Sequence, residues 1–351
     1  MTPTFSPVPY PASRPLIDFV QRLPKTETHL HLDGAVPFDL LHEFNPAKYS
    51  EPPEFWASHF RYKSFSHFMD EFRRYCGDYF TSAERFHRVA QRVLATCVEQ
   101  NCRYVETSFN AILLLSTKET GADILRAIRA AAPPGLELRI FLGMCHDHYS
   151  GPLREIIDEA LTWPELDGID LHGPEDMPLE ERTPELWDRA RRMGKYTKAH
   201  AGEFMGADFV DRILDELKPQ RIEHGVRSIE NPGTVARLVR QGVALDVCIL
   251  SNVKLAVEGV SSIAGHPIRQ LFDAGVTVTV NSDDPLFFGN RLSEEYYALY
   301  QELGFSSDEL IRVAANGFKV ALLPESIRDR CLAELAEIAT EGRPDIPKIV
   351  P

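Results

Sequence analysis

Residues 26–34 read TETHLHLDG, two histidines two positions apart in a β-prone run, and the fold is decided by what this run is taken to be. In extended backbone, residues i and i+2 share a face, so His29 and His31 point the same way. Alone, the pair is a modest signal, because two partly exposed histidines on a strand would look the same. The rest of the chain gives it weight. Further β-prone runs are expected at 102–109, 136–144, 168–172, 195–200, 221–224, 243–249 and 276–282, which with 26–32 makes eight.

Between these runs lie amphipathic helical patterns. The clearest spans 84–99, where Phe86, Val89, Ala90, Val93, Leu94 and Cys97 fall on one helical face. Others are expected at 123–132, 152–161, 184–193, 207–217, 232–241 and 267–274, with 293–304, 307–321 and 327–341 after the last strand. Prolines 152, 184, 232 and 267 stand at helix starts, where a missing N–H costs nothing, and Gly242 and Gly275 stand just past helix ends. Strand–helix alternation requires a parallel sheet, and eight repeats suit a closed (β/α)8 TIM-type barrel. A doubly wound open sheet is the competing architecture, but no G-x-G-x-x-G or Walker pattern follows the first strand.

Residues 38–82 are too many for a simple βα loop and read as an inserted helical lid. Within it Phe65, Phe68, Met69 and Phe72 share one helical face, which suits either a gate over a pocket or plain core packing. The first residues, MTPTFSPVPYPASRP, hold five prolines and no apolar run, so neither a signal peptide nor a helix is expected there. The expected organisation is a Pro-rich arm (1–20), a single barrel domain (21–345) with extra C-terminal helices, and a loose tail, GRPDIPKIVP.

Composition excludes several function classes. With 38 Lys+Arg against 52 Asp+Glu, the net charge of −14 argues against binding nucleic acid or an anionic membrane surface. No run approaches the roughly 18 apolar residues of a membrane span. Cys76, Cys97, Cys102, Cys145, Cys248 and Cys331 are scattered without a C-x-x-C, as expected of reduced thiols in a cytoplasmic protein.

The chemistry gathers at strand ends. His200 closes the fifth run (KAHAGE), His224 the sixth (RIEHG), and Asp283 and Asp284 follow the eighth (NSDD). In a barrel the C-terminal strand ends converge on one face, so these groups would meet His29 and His31 in one pocket. Neutral imidazoles with a carboxylate are the donor set of Zn²⁺ or a similar divalent metal, and a cation offsets the cost of burying paired aspartates. Glu203, three residues after His200, is placed either as a solvated rim glutamate or as a proton carrier.

THLHLDGA, DGIDLHG, HAGE, EHG and NSDDPLFFG, in that order and spacing, resemble the adenosine deaminase family of the amidohydrolase superfamily, over residues 25–323. The resemblance implies a (β/α)8 barrel with one metal held by His29, His31, His200 and Asp283. It implies Glu203 as the acid at purine N1, His224 as the group that orients and deprotonates the attacking water, and Asp284 at N7. It further implies the Gly173 N–H at N3, Asp33 on a ribose hydroxyl, and Phe65, Phe68 and Met69 as a gate. Two places depart from the family pattern. His172 stands where a small residue is usual before the glycine, with a substrate contact or simple space filling as its alternatives. ETSFNAILL (106–114) lacks the usual Arg-Tyr-Ser-Pro-like run. Neither departure touches the metal or acid–base set. No lysine occurs in 168–172, which argues against a carbamylated two-metal site, and no P-C-x-x-C marks the cytidine-deaminase type. The expected reaction is zinc-dependent deamination of adenosine and deoxyadenosine to the 6-oxo nucleoside and ammonia. A 5′-modified adenosine such as aminodeoxyfutalosine, or free adenine, is the alternative, and a catalytically inactive nucleoside-binding barrel is the reading from another class. No Lys or Arg stands in these motifs to receive a phosphate, so an uncharged nucleoside partner is expected.

Overall fold

All eight expected strands form in the computed structural model, which describes residues 6–341 and residue 346. They are β1 (Lys25–Glu27), β2 (Cys102–Asn110), β3 (Glu137–Met144), β4 (Gly168–Leu171), β5 (Tyr196–Ala201), β6 (Arg221–His224), β7 (Ala244–Val247) and β8 (Val278–Val280). Each pairs in parallel with the next, in the order β1 to β8. The seam between the ends is joined where Leu30 bridges Asp283, and His31 bridges Ser108 of β2. The His31 N–H donates to the Asp283 carbonyl (3.0 Å), and the Asp283 N–H to that of His29 (3.2 Å). The architecture is the (β/α)8 barrel that the alternation implies, and the doubly wound sheet is excluded.

The helices fall where apolar periodicity and proline placed them. Ala83–Glu99 buries Phe86, Val89, Ala90, Val93, Leu94 and Cys97, the face read from the sequence. Pro152, Pro184 and Pro232 occupy first turns, while Pro267 stands just ahead of helix Ile268–Asp273. Gly242 caps its helix in the left-handed conformation (φ 67°). Inside the barrel the floor is polar: Lys198 pairs with Glu223 (2.6 Å), and Arg221 with Asp246 (2.9 Å) and Glu106, all buried. Such pairs are weak sources of stability, because the cost of desolvating both charges offsets much of their attraction.

Three expectations need correction, and a fourth falls almost wholly outside the described residues. The first strand was expected to run 26–32, but regular pairing stops at Glu27, because the Thr28 N–H is taken by the Asn281 side chain (2.7 Å) rather than by a ladder carbonyl. His29 and His31 lie beyond it in the bridged segment. The seventh was expected to reach Ile249. Instead the chain turns at Cys248 into helix Ile249–Lys254, whose first N–H groups donate to the Glu295 carboxylate. The arm was expected to reach residue 20, yet helix Arg14–Arg22 crosses that limit and buries Leu16, Phe19 and Val20. Pro15 sits in its first turn, where proline starts a helix rather than preventing one. Finally, the expected loose tail and the domain limit at 345 lie outside the described residues, apart from Ile346. That residue is buried, and its carbonyl accepts from the Tyr300 hydroxyl (2.9 Å).

The stretch 38–82 contains helices Phe38–Phe44 and Phe65–Cys76 and is bound to the barrel. The Trp56 indole donates to the Leu286 carbonyl (2.6 Å), the Tyr62 N–H to that of Lys254 (2.8 Å), and Lys254 Nζ to that of Phe55 (2.5 Å). No helix among the described residues is long and apolar enough to cross a membrane.

Candidate active site

Every strand-end residue singled out in the sequence arrives at the same mouth. His31, Asp33, Phe65, Phe68, Met69, Phe72, His172, Gly173, His200, Glu203, His224, Asp283 and Asp284 line one cavity, with His29 buried beneath it. Two of these residues hold positive φ without being glycine, His224 (60°) and Asp283 (63°). Such backbone costs energy and persists where the surroundings over-determine it.

At the base of the cavity, ligand atoms of His29, His31, His200 and Asp283 lie within 4.8 Å of one another, all four residues buried. The outer ring nitrogens show which way the inner ones face. His29 Nδ1 lies 3.2 Å from the Asp246 carbonyl, and His200 Nδ1 lies 2.9 Å from that of Leu171. A ring nitrogen facing a carbonyl carries the proton, so both Nε2 atoms present lone pairs inward. His29 Nε2 and His31 Nε2 stand only 3.2 Å apart, and Asp283 Oδ1 is 3.3 Å and 3.4 Å from them. Converging lone pairs and a carboxylate repel unless a cation sits between them, so this donor set fits a divalent metal. Asp283 Oδ2 in turn accepts from the Ser251 hydroxyl (2.6 Å). Burial opposes its charge, but His29, His224 and His31 around it hold the carboxyl below its ordinary range.

Two further carboxyls behave oppositely. Burial, then the adjacent Asp283 and then Asp33, push Asp284 well above the ordinary carboxylate range. Burial, then Asp283 and Glu175, do the same to Glu203. Both are thereby biased toward the protonated, proton-donating form. Asp284 Oδ1 and Asp33 Oδ1 are buried with no hydrogen-bond partner among the described residues. Asp33 Oδ2 accepts from the Asn110 N–H (3.2 Å). His172 is held by Asn110 Nδ2 (2.9 Å) on one ring nitrogen and by Asp170 (3.7 Å) on the other.

Glycine is required at two places. Gly173 has φ +95°, and an added Cβ would meet Cys145 Sγ at 2.9 Å. At Gly34 the added carbon would stand 1.6 Å from Asp284 Oδ1. Gly34→Ala is expected to displace the Asp284 side chain and to cost about 1–3 kcal/mol, as overpacking does. A denaturant melt checks this, and an unchanged midpoint would refute it.

The sequence reading missed three side chains here. Glu175 accepts from the backbone N–H groups of Glu203 (3.0 Å), Phe204 (3.0 Å) and Met205 (2.6 Å), so one buried carboxylate holds the loop that carries Glu203. Asn252 and His266 lie behind Glu203 and His224. Glu175 follows β4 and Asn252 follows β7, so the strand-end rule applied to H-G-P-E and C-I-L-S-N would have found both. No such signal marks His266.

Known proteins resemble the chain along nearly its whole length. The family model described as adenosine deaminase matches residues 24–338. An adenine deaminase of Sphingopyxis alaskensis is 32% identical over 332 residues, covering 90% of this chain and 95% of that one. An adenine deaminase of Chlorobium luteolum is 30% identical over 331 residues, covering 92% and 96%. Among solved structures, the adenine deaminase from Arthrobacter aurescens superposes with a TM-score of 0.79 at 26% identity, covering 90% of this chain and 99% of that one. By the extent of the family match and by these relatives, the chain belongs to the adenosine deaminase family and is a hydrolytic aminohydrolase.

Proposed function

We propose that the protein hydrolyses the 6-amino group of adenosine, and of deoxyadenosine, to give inosine or deoxyinosine and ammonia. The C6–N bond breaks and a C6–O bond forms, with water as the only co-reactant. His29, His31, His200 and Asp283 would hold one divalent metal, Zn²⁺ by its preference for imidazole and carboxylate donors. Such an ion lowers the pKa of water toward 7.

The remaining work belongs to the chain's own residues. Protonated Glu203 donates to N1, so that negative charge does not accumulate on the ring as C6 is attacked. Protonated Asp284 donates to N7, and the Gly173 N–H to N3, polarising the ring in the same sense. His224 faces the attacking water. Phe65, Phe68, Met69 and Phe72 cover the purine and exclude bulk solvent, while His172 and Asn110 narrow the wall beside it. One barrel domain with its lid suffices for all of these roles. Six free, buried cysteines support a reducing compartment, the cytoplasm.

The observation that carries the nucleoside reading is Asp33. Its Oδ1 is buried at the cavity wall without a partner among the described residues, a cost that a substrate hydroxyl would relieve. No Lys or Arg among the described residues lines the cavity, which favours an uncharged nucleoside over a nucleotide. The second reading is free adenine, favoured by the names of the relatives at 30–32% identity. Zinc-loaded protein incubated with adenosine, deoxyadenosine, adenine and 5′-modified adenosines, with ammonia release followed, decides between them. Adenosine is expected to give the highest kcat/KM, and turnover of adenine alone would overturn the nucleoside reading. Asp33→Asn should then raise KM for adenosine about 10-fold, the worth of a hydrogen bond to a charged group, and leave adenine unaffected.

A further inference from the structure

Behind the two groups that face the reacting atoms lie two buried polar residues, Asn252 and His266, to which the reaction as described assigns no task. Asn252 sits in helix Ile249–Lys254, which follows β7, and His266 just ahead of helix Ile268–Asp273. Both are closed off from solvent. Asn252 Nδ2 is 3.1 Å from Glu203 Oε1 and 3.1 Å from His224 Nδ1, and Asn252 Oδ1 is 3.2 Å from His266 Nε2.

Amide orientation and imidazole tautomer are ambiguous until a donor of known identity anchors the chain of hydrogen bonds. Here the backbone supplies one. The Ile268 N–H can only donate, and it meets His266 Nδ1 at 3.2 Å. That nitrogen therefore offers its lone pair, and the ring proton sits on Nε2. Burial pushes the His266 pKa down to about 3, so the ring carries this one proton only. The Nε2–H needs an acceptor, which makes the facing Asn252 atom its oxygen; the flipped amide would set two donors against each other. Asn252 Nδ2 then has two hydrogens to place, one on Glu203 Oε1 and one on His224 Nδ1. Because His224 Nδ1 must accept, a neutral His224 carries its proton on Nε2. That atom faces Glu203 Oε1 (3.5 Å) and Asp283 Oδ2 (3.9 Å), both acceptors.

We propose that His266 and Asn252 are positioning residues for the deamination: a relay starting at the Ile268 backbone N–H that holds His224 in the Nε2–H tautomer and ties Glu203 Oε1 beside it. In this state His224 meets the attacking water as a hydrogen-bond donor that orients it by one lone pair. This departs from the expectation that the imidazole takes the water's proton; that proton would instead go to solvent, which a held divalent metal would permit near neutral pH by lowering the water's pKa toward 7. The inference rests on the deaminase reading for its kinetic consequence, but not for the tautomer.

The test uses full-length, zinc-loaded protein with ¹⁵N-labelled histidine rings, the His224 signals being assigned by their loss in His224→Gln. The expected spectrum has His224 Nδ1 unprotonated and Nε2 protonated. In His266→Leu that signature is expected to give way to mixed tautomers, with kcat lowered about 10–100-fold and KM little changed, the usual size of effect for groups that orient catalytic ones. His266→Gln, whose amide N–H can stand in for Nε2–H, should retain both the signature and the rate. A protonated Nδ1 in the wild-type spectrum overturns the proposal without recourse to any variant, and so does an unchanged His224 spectrum in His266→Leu. If no 6-aminopurine is turned over, the deaminase reading fails, while the wild-type spectrum still decides the relay.

Discussion

Glu203→Gln is expected to lower turnover by about 10²–10⁴-fold, the usual worth of a positioned general acid, while leaving the metal in place. Glutamine has the same shape and keeps the backbone N–H that donates to Glu175, so the loop should not move. What it lacks is the carboxyl proton that burial and the neighbouring acids Asp283 and Glu175 retain on Glu203. The alternative role is specific. Glu203, His224 and Asp283 also bring one ligand atom each within 4.8 Å of one another, so Glu203 could itself be a metal donor. Metal analysis of the purified variant separates the two. Full metal content with ammonia release lowered to that extent is the expected result, whereas loss of metal would make Glu203 a ligand. Unchanged turnover would remove it from the reaction altogether.

The sequence was most informative where one physical rule acts on many residues at once. Eight β-prone runs separated by helical periodicity admit few closed arrangements, and proline at helix starts with glycine past helix ends sets the phase. The site was legible for a related reason. A parallel barrel delivers every strand's C-terminal end to one face, so His200, His224, Asp283 and Asp284 could be placed together without any contact being known. Legibility failed where one local interaction outweighed the pattern. The Asn281 side chain ends the first ladder at Glu27, and Pro15 opens a helix within a segment whose other prolines suggest only extended chain. It failed again for groups that act through other groups. His266 reaches the site only by way of Asn252, and nothing in a lone histidine before a proline announces that. The substrate is least legible, since the motifs encode chemistry at C6. The proposed contact of Asp33 with a sugar hydroxyl favours a nucleoside, whereas the names of the relatives favour the free base.

Asp283→Asn tests the metal site at its most constrained point. Asp283 does two jobs: its backbone closes the barrel seam against His29 and His31, and its side chain brings negative charge to the imidazoles of the same two residues. Alanine would confound the two, because its methyl side chain is strained at φ 63°. Asparagine tolerates left-handed backbone, preserves side-chain volume and can still accept from Ser251. Only the charge is removed. An uncharged amide is a poor donor to a divalent cation, and the imidazoles alone do not neutralise it. The variant is therefore expected to fold, with an unchanged far-ultraviolet spectrum, but to be purified with little metal. Its activity should fall about 10³-fold, since several kcal/mol of transition-state stabilisation come from such an ion and each 1.4 kcal/mol is a decade in rate. Excess zinc should restore part of that activity if weakened binding is the cause. Full metal content with wild-type turnover would show that the three histidines suffice, and would leave the strained backbone at residue 283 explained by the barrel seam alone.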